Sequence, residues 1–340
     1  MKNRIKNRIH KNHAAALLAA AFTLGAATAF GAIDIEMVTV GNINNAADTT
    51  TGSLYGSVSY EYQIGKYEVT NVQYVAFLNA VAGTDTYSLY NTDMGSNADF
   101  GGITRTTGDS GSYEYAVKEG WGNKPVNHVS FYDAARFVNW LQTGSTETGL
   151  YTFEDGVLKS TPDHATSTGW VIASEDEWYK AAYYNPTLNG GAGGYTNYPF
   201  VGGGSPTHGQ HDATGANYYE SANGGFAKPG GEIIADVDYY VNAASYFGTY
   251  GQGGNLWEWN DSLYDSDSHV LRGGSFYNLG DDPLSAASGR ISFGPAYEGI
   301  SIGFRVAYLT SVPEPSVWGS AMGLTMLVIG MWVRRGRRPL

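Results

Sequence analysis

Cysteine is the residue type that this chain of 340 residues does not contain. Without a thiol, the protein cannot form disulfide bonds, bind a soft metal ion through thiolate, or use sulfur as a nucleophile or redox group. An exported protein of this kind has to rely on a buried core, to which bound metal can add stability. The sequence also lacks a phosphate-binding loop, a Gly-x-Ser-x-Gly motif and a His-Glu-x-x-His motif, so these common catalytic signatures are excluded.

Basic residues are scarce between the two ends of the chain. Nine of the 20 basic residues and one of the 32 acidic residues lie outside residues 30–312, so this body carries a net charge of about −20. Such a charge argues against nucleic acid or an anionic membrane surface as the main partner. It suits a soluble extracellular protein, and carboxylate oxygens suit hard cations such as calcium.

The N-terminal segment has the features of a secretory signal. Five Lys or Arg residues occupy the first 11 positions, an apolar run follows at residues 14–25, and Ala27-Thr28-Ala29 supplies the small-x-small pattern that signal peptidase cleaves. An uncleaved anchor helix is the alternative, but this run is short for the ~30 Å of a bilayer core. We therefore expect export, with residues 1–29 removed by signal peptidase.

The C-terminal segment, residues 311–340, has three parts. Pro313-Glu314-Pro315 comes first, residues 317–333 predict a transmembrane helix, and the arginine cluster at 334–338 should stay on the cytoplasmic side. A plain single-pass anchor is one interpretation. The order of the parts also resembles a bacterial PEP-CTERM sorting signal, which implies processing by an exosortase-type enzyme. We expect localisation to the cell envelope, outer surface or extracellular matrix, with at least transient anchoring in the membrane.

Glycine and tyrosine dominate the composition, with 46 and 26 residues, which predicts many turns and few long helices. Three helices are indicated by capping boxes. In a capping box, the hydroxyl of the N-cap residue accepts a hydrogen bond from the backbone N–H three positions later, and the side chain at that later position accepts one from the backbone N–H of the N-cap residue. These boxes are Thr70-x-x-Gln73, Ser130-x-x-Asp133 and Ser174-x-x-Glu177.

Short strands are expected at four places, and the rest of the body is expected to be loop. Residues 30–60 form an N-terminal lead-in, which we expect to be loose over residues 34–58. Residues 190–231 predict a long, irregular but ordered loop. Aromatic residues are interspersed among its glycines, and disordered segments contain few aromatic residues. The predicted strands are Tyr60–Tyr67, Trp170–Ala173, His269–Arg272 and Ile300–Tyr308.

Six short phrases occur along the body. In their order they resemble the formylglycine-generating-enzyme (sulfatase-modifying-factor) domain, over residues 61–310. The resemblance implies an α+β, C-type-lectin-like fold with few helices, short strands and much irregular loop. The phrases are Glu68-Val69-Thr70-Asn71, Pro125-Val126-Asn127-His128-Val129-Ser130, Ser174-Glu175-Asp176-Glu177-Trp178, Gly254-Asn255-Leu256-Trp257-Glu258-Trp259, Leu271-Arg272-Gly273-Gly274-Ser275 and Gly303-Phe304-Arg305-Val306.

The known reaction of that family depends on residues that this chain lacks. Its catalytic members carry two cysteines in the segment after the Gly-Gly-Ser phrase, whereas here Gly273-Gly274-Ser275 is followed by Phe276-Tyr277-Asn278. We therefore expect no formylglycine-generating oxidase activity. The leading hypothesis is a calcium-stabilised binding or matrix module, whose tyrosine-rich loops bind polysaccharide or a surface protein.

Two other hypotheses stay open. The first is an oxidoreductase of the same family that uses an unidentified metal or cofactor; His208 and His211 form the one close histidine pair in the body, and Asp212 follows them. The second is a structural component of a surface layer that assembles with copies of itself.

Calcium is the metal that the resemblance implies. The family binds it through asparagine or aspartate side chains and backbone carbonyls, and such oxygen ligands on loops are what calcium coordination needs. One position departs from the family pattern, since Gly251 stands where Asp or Asn is usual. For Glu258 the alternative role is a buried ion pair with Arg272 or Arg305. The candidate calcium ligands are Asn217, Tyr218, Asn223, Gly254, Leu256 and Glu258.

Overall fold

The three longest helices begin where the capping boxes place them. Thr70, Ser130 and Ser174 each accept a hydrogen bond from the backbone N–H three residues later, and the side chain at that later position accepts one in return. The computed structural model describes residues 33–227, 229–279 and 289–310. The helices in this part are α1 (Asn71–Val81), α2 (Asp93–Ser96), α3 (Phe131–Thr143), α4 (Glu175–Tyr183) and α5 (Leu188–Gly191).

The strands of the described residues are short, and long loops connect them. In chain order they are β1 (Met37–Val40), β2 (Tyr62–Gly65), β3 (Ile103–Thr107), β4 (Glu114–Val117), β5 (Thr152–Glu154), β6 (Val157–Ser160), β7 (Gly169–Ile172), β8 (Tyr184–Asn185), β9 (Gly194–Tyr195), β10 (Thr207–His208), β11 (Gly215–Ala216), β12 (Tyr219–Glu220), β13 (Gly225–Phe226), β14 (Trp257–Leu263), β15 (His269–Arg272), β16 (Arg290–Phe293), β17 (Ile302–Gly303) and β18 (Val306–Leu309).

Two four-stranded sheets organise the domain. The first has the order β1-β2-β18-β7 and is antiparallel throughout. The second has the order β16-β15-β14-β17, in which only β14 and β17 are parallel. Because β17 belongs to the second sheet and β18 to the first, the chain passes from one sheet to the other at Phe304-Arg305. The side chain of Arg305 therefore starts at the junction between the sheets.

Aromatic side chains pack the helices onto the sheets. The ring of Phe137 on α3 lies within 6.1 Å, between centroids, of the rings of Tyr74, Phe77, Trp140 and Phe304. Phe137, Tyr74, Phe77 and Phe304 are fully buried. Burial of rings of this size supplies much of the hydrophobic stabilisation that a chain without disulfides needs.

Two local predictions are corrected by the structure. The lead-in is not loose, because β1 pairs with β2 and the buried Asp48 accepts a 2.7 Å hydrogen bond from the hydroxyl of Tyr179. The strand predicted over Ile300–Tyr308 is two strands, β17 and β18, in different sheets. In both places the pairing partners are distant in sequence, so local patterning did not reveal them. The strand predicted at His269–Arg272 is confirmed with the same bounds.

The mixed α+β architecture, with few helices, short strands and much loop, is confirmed in the described residues. Among those residues, no helix combines the length and apolar character needed to cross a bilayer. The signal predicted at residues 1–29 and the helix predicted at 317–333 lie outside the part of the chain that the structure describes.

Candidate functional site

A buried ion pair connects the two sheets. Nε and Nη2 of Arg305 donate to Oε2 and Oε1 of Glu258 at 2.5 and 2.6 Å, and Nε1 of Trp178 also donates to Oε2 at 2.7 Å. All three side chains are fully buried. Both carboxylate oxygens of Glu258 therefore accept hydrogen bonds. This is the buried ion pair that the sequence suggested as the alternative to calcium binding.

Glu68 is the second carboxylate beside the same guanidinium. Its Oε2 lies 3.9 Å from Nη2 of Arg305, and its Oε1 accepts a 3.4 Å hydrogen bond from Nδ2 of Asn255. Burial raises the pKa of Glu68 to about 8, with a further contribution from Glu258, while Arg305 acts in the opposite direction. The sequence placed Glu68 in a family phrase but assigned it no role.

Arg272 pairs with a different carboxylate. Its Nε donates to Oε1 of Glu175 at 2.8 Å, and Nε of Arg290 donates to the same oxygen at 2.7 Å. The guanidinium of Arg272 also lies 4.6 Å from the ring centre of Tyr55 in the lead-in. This ion pair ties α4 to β15 and β16, so Arg272 pairs with Glu175, whereas Arg305 is the arginine that pairs with Glu258.

Asn217 and Gly254, two of the candidate calcium ligands, lie side by side. They form an isolated parallel bridge, and the backbone N–H of Asn255 donates to the carbonyl of Asn217 at 2.8 Å. Nδ2 of Asn217 donates to the carbonyl of Ile233 at 2.9 Å and to Oδ1 of Asn255 at 3.0 Å. In the described part of the chain, the buried Oδ1 of Asn217 has no hydrogen-bond partner. Since an unpaired buried oxygen is costly, this atom is a strong candidate ligand.

The remaining candidates differ in their surroundings. Leu256 is fully buried next to Gly254, and Tyr218 is 4% exposed with its hydroxyl donating to the carbonyl of Pro206 at 3.4 Å. Asn223 ends a short 3-10 segment, Ser221–Asn223, and its side chain lies outside the described structure. Of these candidates, the structure therefore brings Asn217 and Gly254 together.

The segment after Gly-Gly-Ser is packed with aromatic rings. Phe276 is fully buried, and its ring stacks on Phe100 at 5.4 Å and lies 6.2 Å from Phe226. Oδ1 of Asn278 accepts hydrogen bonds of 2.9 Å from both the backbone N–H and the hydroxyl of Ser275. These residues close a turn against the core. Residues 280–288 lie outside the described part.

The two neighbouring histidines lie against a backbone carbonyl and a tyrosine ring. A ring nitrogen of His208, Nε2, lies 3.0 Å from the carbonyl of Gly225, and the ring of His211 lies 4.0 Å from that of Tyr239. Within residues 33–227, 229–279 and 289–310, no group of three or more His, Asp or Glu side chains is placed to hold a metal ion.

His164 lies between two carboxylates, an arrangement that the sequence did not reveal. Its Nδ1 is 3.0 Å from Oε2 of Glu177, and its Nε2 is 3.1 Å from Oδ2 of Asp261. Burial disfavours the charged ring, but Glu177 and Asp261 outweigh it and raise the pKa of His164 to about 10. The hydroxyl of Tyr60 donates to Glu177 at 2.7 Å, and that of Tyr151 donates to Asp261 at 2.6 Å. These hydrogen bonds hold the two carboxylates in place around His164.

These elements define an α+β, C-type-lectin-like domain built around buried ion pairs. The sulfatase-modifying factor enzyme 1-like domain family matches residues 36–309, and the chain belongs to this family. Comparison with characterised proteins gives no match.

Solved structures resemble this chain at low sequence identity, and the first of them supports the fold. CarF is 20% identical with a TM-score of 0.53, covering 82% of this chain and 99% of its own. Treponema denticola variable protein 1 is 18% identical with a TM-score of 0.49, covering 83% and 97%. PvdO from Pseudomonas aeruginosa is 17% identical with a TM-score of 0.46, covering 81% and 94%.

Replacing His164 with Gln should produce a pH-dependent loss of stability. The folded pKa lies above the ~6.5 of an unfolded histidine, so the stabilisation is fully present below about pH 6.5 and is lost as the pH rises through about 10. We expect the difference in unfolding free energy between wild type and His164→Gln to shrink by at most about 1.4 kcal/mol per pH unit across this window. Urea unfolding of both proteins at several pH values measures it.

His211→Gln is the matched control. His211 is exposed and has no carboxylate contact among the described residues. The difference in unfolding free energy between wild type and His211→Gln should therefore not change with pH in this way. A His164→Gln difference that stays constant, or grows with pH, would contradict a charged imidazole between Glu177 and Asp261.

Proposed function

We propose that this protein is an exported, calcium-stabilised binding or matrix module of the sulfatase-modifying-factor family, without formylglycine-generating oxidase activity. The observation that carries the proposal is the combination of the family fold with a chain that has no cysteine. Thiolate is the group that holds copper(I) and takes part in redox exchange, and the hydroxyl or amide of Ser275 or Asn278 cannot replace it. In the described residues these two side chains hydrogen-bond to each other.

The calcium part of the proposal is supported by Asn217. Its Oδ1 is a hard oxygen ligand, buried and without a hydrogen bond, on a loop beside Gly254. Glu258 fits a cation poorly, because a metal on its carboxylate would face the guanidinium of Arg305. We therefore propose that calcium binds near Asn217 and not at Glu258. There it would connect loops without taking part in a reaction.

Exposed tyrosines supply the proposed recognition surface. Tyr277, Tyr264, Tyr297 and Tyr246 are 60%, 50%, 47% and 40% exposed, and all lie in or next to loops that connect strands. Tyrosine rings offer a large contact area and a hydroxyl at a low entropic cost, which suits polysaccharide or a surface protein as the partner. The acidic body does not favour nucleic acid.

Calcium should raise the melting temperature of the purified protein. At calcium concentrations about 100 times the dissociation constant, the expected stabilisation is about 2.7 kcal/mol, or roughly 5 °C for a domain of this size. Asn217→Ala should lose most of this calcium-induced shift, because the variant lacks the unpaired oxygen. Thermal unfolding with excess calcium and with excess chelator measures the shift for each protein.

Asn242→Ala serves as the control, since Asn242 is exposed and donates only to the carbonyl of His211 among the described residues. It should keep the full calcium response. A wild-type melting temperature that does not change with calcium would contradict the calcium proposal, whatever the melting temperature of Asn217→Ala in chelator.

Export should leave a mature chain that begins at Phe30. We propose that signal peptidase cleaves after Ala29, and that the tail at residues 311–340 anchors the protein through the helix predicted at 317–333 until an exosortase-type enzyme processes it. Mass spectrometry of the protein recovered from the envelope or medium measures the N-terminus. Ala29→Arg should block cleavage, whereas a wild-type protein that keeps Met1 would rule out a cleaved signal.

A further inference from the structure

An open pocket of about 650 Å³ lies in the glycine-rich loop region that contains β10 to β13. Binding pockets for small molecules typically enclose about 300–1,000 Å³, so this one has the size of a binding site. Its lining includes polar and aromatic side chains, which belong to Thr207, His208, Gln210, Tyr218, Glu220 and Phe226.

The turn that forms one wall of the pocket is held by its own hydrogen bonds. Oδ1 of Asp212 accepts hydrogen bonds from the hydroxyl of Thr207 at 2.6 Å and from the backbone N–H of Thr214 at 2.9 Å. Beside this turn β10 pairs with β11, and the backbone N–H of Gly209 donates to the carbonyl of Ala216 at 2.9 Å. A wall that is already fixed loses little freedom when a ligand binds, which favours affinity.

A second wall of the pocket is aromatic. Tyr219 and Phe226 are cross-strand neighbours on β12 and β13, and their rings meet edge to face with 5.1 Å between centroids. The ring of Phe226 also lies 6.1 Å from that of Tyr277, which is 60% exposed. The backbone N–H of Tyr219 donates to the carbonyl of Asn278 at 3.0 Å, which holds the segment of Tyr277 beside this wall. The three rings therefore form a row that leads from the pocket to an exposed tyrosine.

Two polar side chains at the pocket keep hydrogen-bonding capacity for a ligand. Nε2 of His208 lies 3.0 Å from the carbonyl of Gly225, and because a carbonyl oxygen can only accept, this nitrogen carries the proton. In the neutral ring Nδ1 is then an acceptor, which no hydrogen bond among the described residues uses. Gln210 is exposed; its Nε2 donates to the carbonyl of His208 at 3.3 Å, and its Oε1 can accept from a ligand.

Charge at the pocket disfavours anionic ligands. The described residues that line it include no Lys or Arg, and they include the acidic side chain of Glu220. The body around the pocket carries a net charge of about −20, so a phosphorylated, sulfated or uronic-acid polymer would be repelled. An uncharged sugar suits the pocket, because the C–H face of its ring can pack on an aromatic ring while its hydroxyls bond to imidazole and amide groups.

We propose that this pocket binds a sugar residue of an uncharged polysaccharide, which packs on Phe226 and hydrogen-bonds to His208 and Gln210. The inference rests on the binding module proposed above, and it names the class of the ligand and the place where it binds. A protein partner would bury apolar side chains at the centre of its interface, and a mainly polar pocket offers them little apolar surface.

Affinity electrophoresis of the purified protein tests the proposal with defined polymers. The gels contain dextran, laminarin, arabinoxylan or galactomannan as uncharged polysaccharides, and alginate as an acidic one. We expect at least one of the uncharged polymers to slow the migration of wild type, and alginate to leave it unchanged. The dependence of migration on polymer concentration gives the dissociation constant.

Two variants and a control locate the binding site. Phe226→Ala should raise the dissociation constant about tenfold or more, because the sugar loses its aromatic contact. Gln210→Ala should raise it about threefold or more through the loss of a hydrogen bond, and this exposed position does not endanger the fold. Tyr87→Ala should bind as wild type does, since this ring is 37% exposed but packs over the guanidinium of Arg136, away from the pocket. Melting temperatures without sugar show that each variant folds.

The outcomes separate this site from the module as a whole. Weaker binding in Phe226→Ala and Gln210→Ala, but not in Tyr87→Ala, supports the site. Sugar binding that both pocket variants retain in full would overturn the site and leave the binding module standing. Migration slowed by alginate alone would overturn the assignment of an uncharged ligand. Migration unchanged by all five polymers would overturn the proposal and leave a surface protein as the partner of the module, whose calcium response is measured separately.

Discussion

The buried pair of Arg305 and Glu258 is the interaction on which the rest of the domain depends. The guanidinium also donates to the carbonyls of Gly65 at 3.0 Å and Tyr250 at 2.8 Å, so a single side chain contacts both sheets and a long loop. A buried charge that loses its partner costs about 3–5 kcal/mol. Loss of either partner would therefore leave an unpaired charge buried between the two sheets, α4 and the loop around Tyr250.

The same polar interior leads to the proposed calcium site. Glu68 shares the guanidinium of Arg305 and accepts a hydrogen bond from Asn255, whose other end holds the amide of Asn217. The orientation of Asn217 is thus connected through two residues to the centre of the fold. A cation bound at Asn217 would stabilise the loops by electrostatic attraction, in addition to the ion pair by which Arg305 connects the sheets.

Sequence patterns predicted the parts of the fold that are set locally. The capping boxes at Thr70, Ser130 and Ser174 fixed the starts of α1, α3 and α4, since their partners are only three residues away. The contacts of His164 were not identified, because Glu177 on α4 and Asp261 on β14 are distant from it in fold or sequence and no spacing pattern records such contacts. The family phrases led to the fold and to Asn217, but only the structure shows that the oxygen of Asn217 is unpaired.

We propose that buried ion pairs and calcium stabilise this sulfatase-modifying-factor scaffold, and that it does not use thiol chemistry. Metal analysis of the purified chain by inductively coupled plasma mass spectrometry tests it most directly. We expect stoichiometric calcium, removable by chelation, with copper and iron far below stoichiometric amounts. Stoichiometric copper or iron, together with oxygen uptake on a thiol peptide or small substrate, would contradict it.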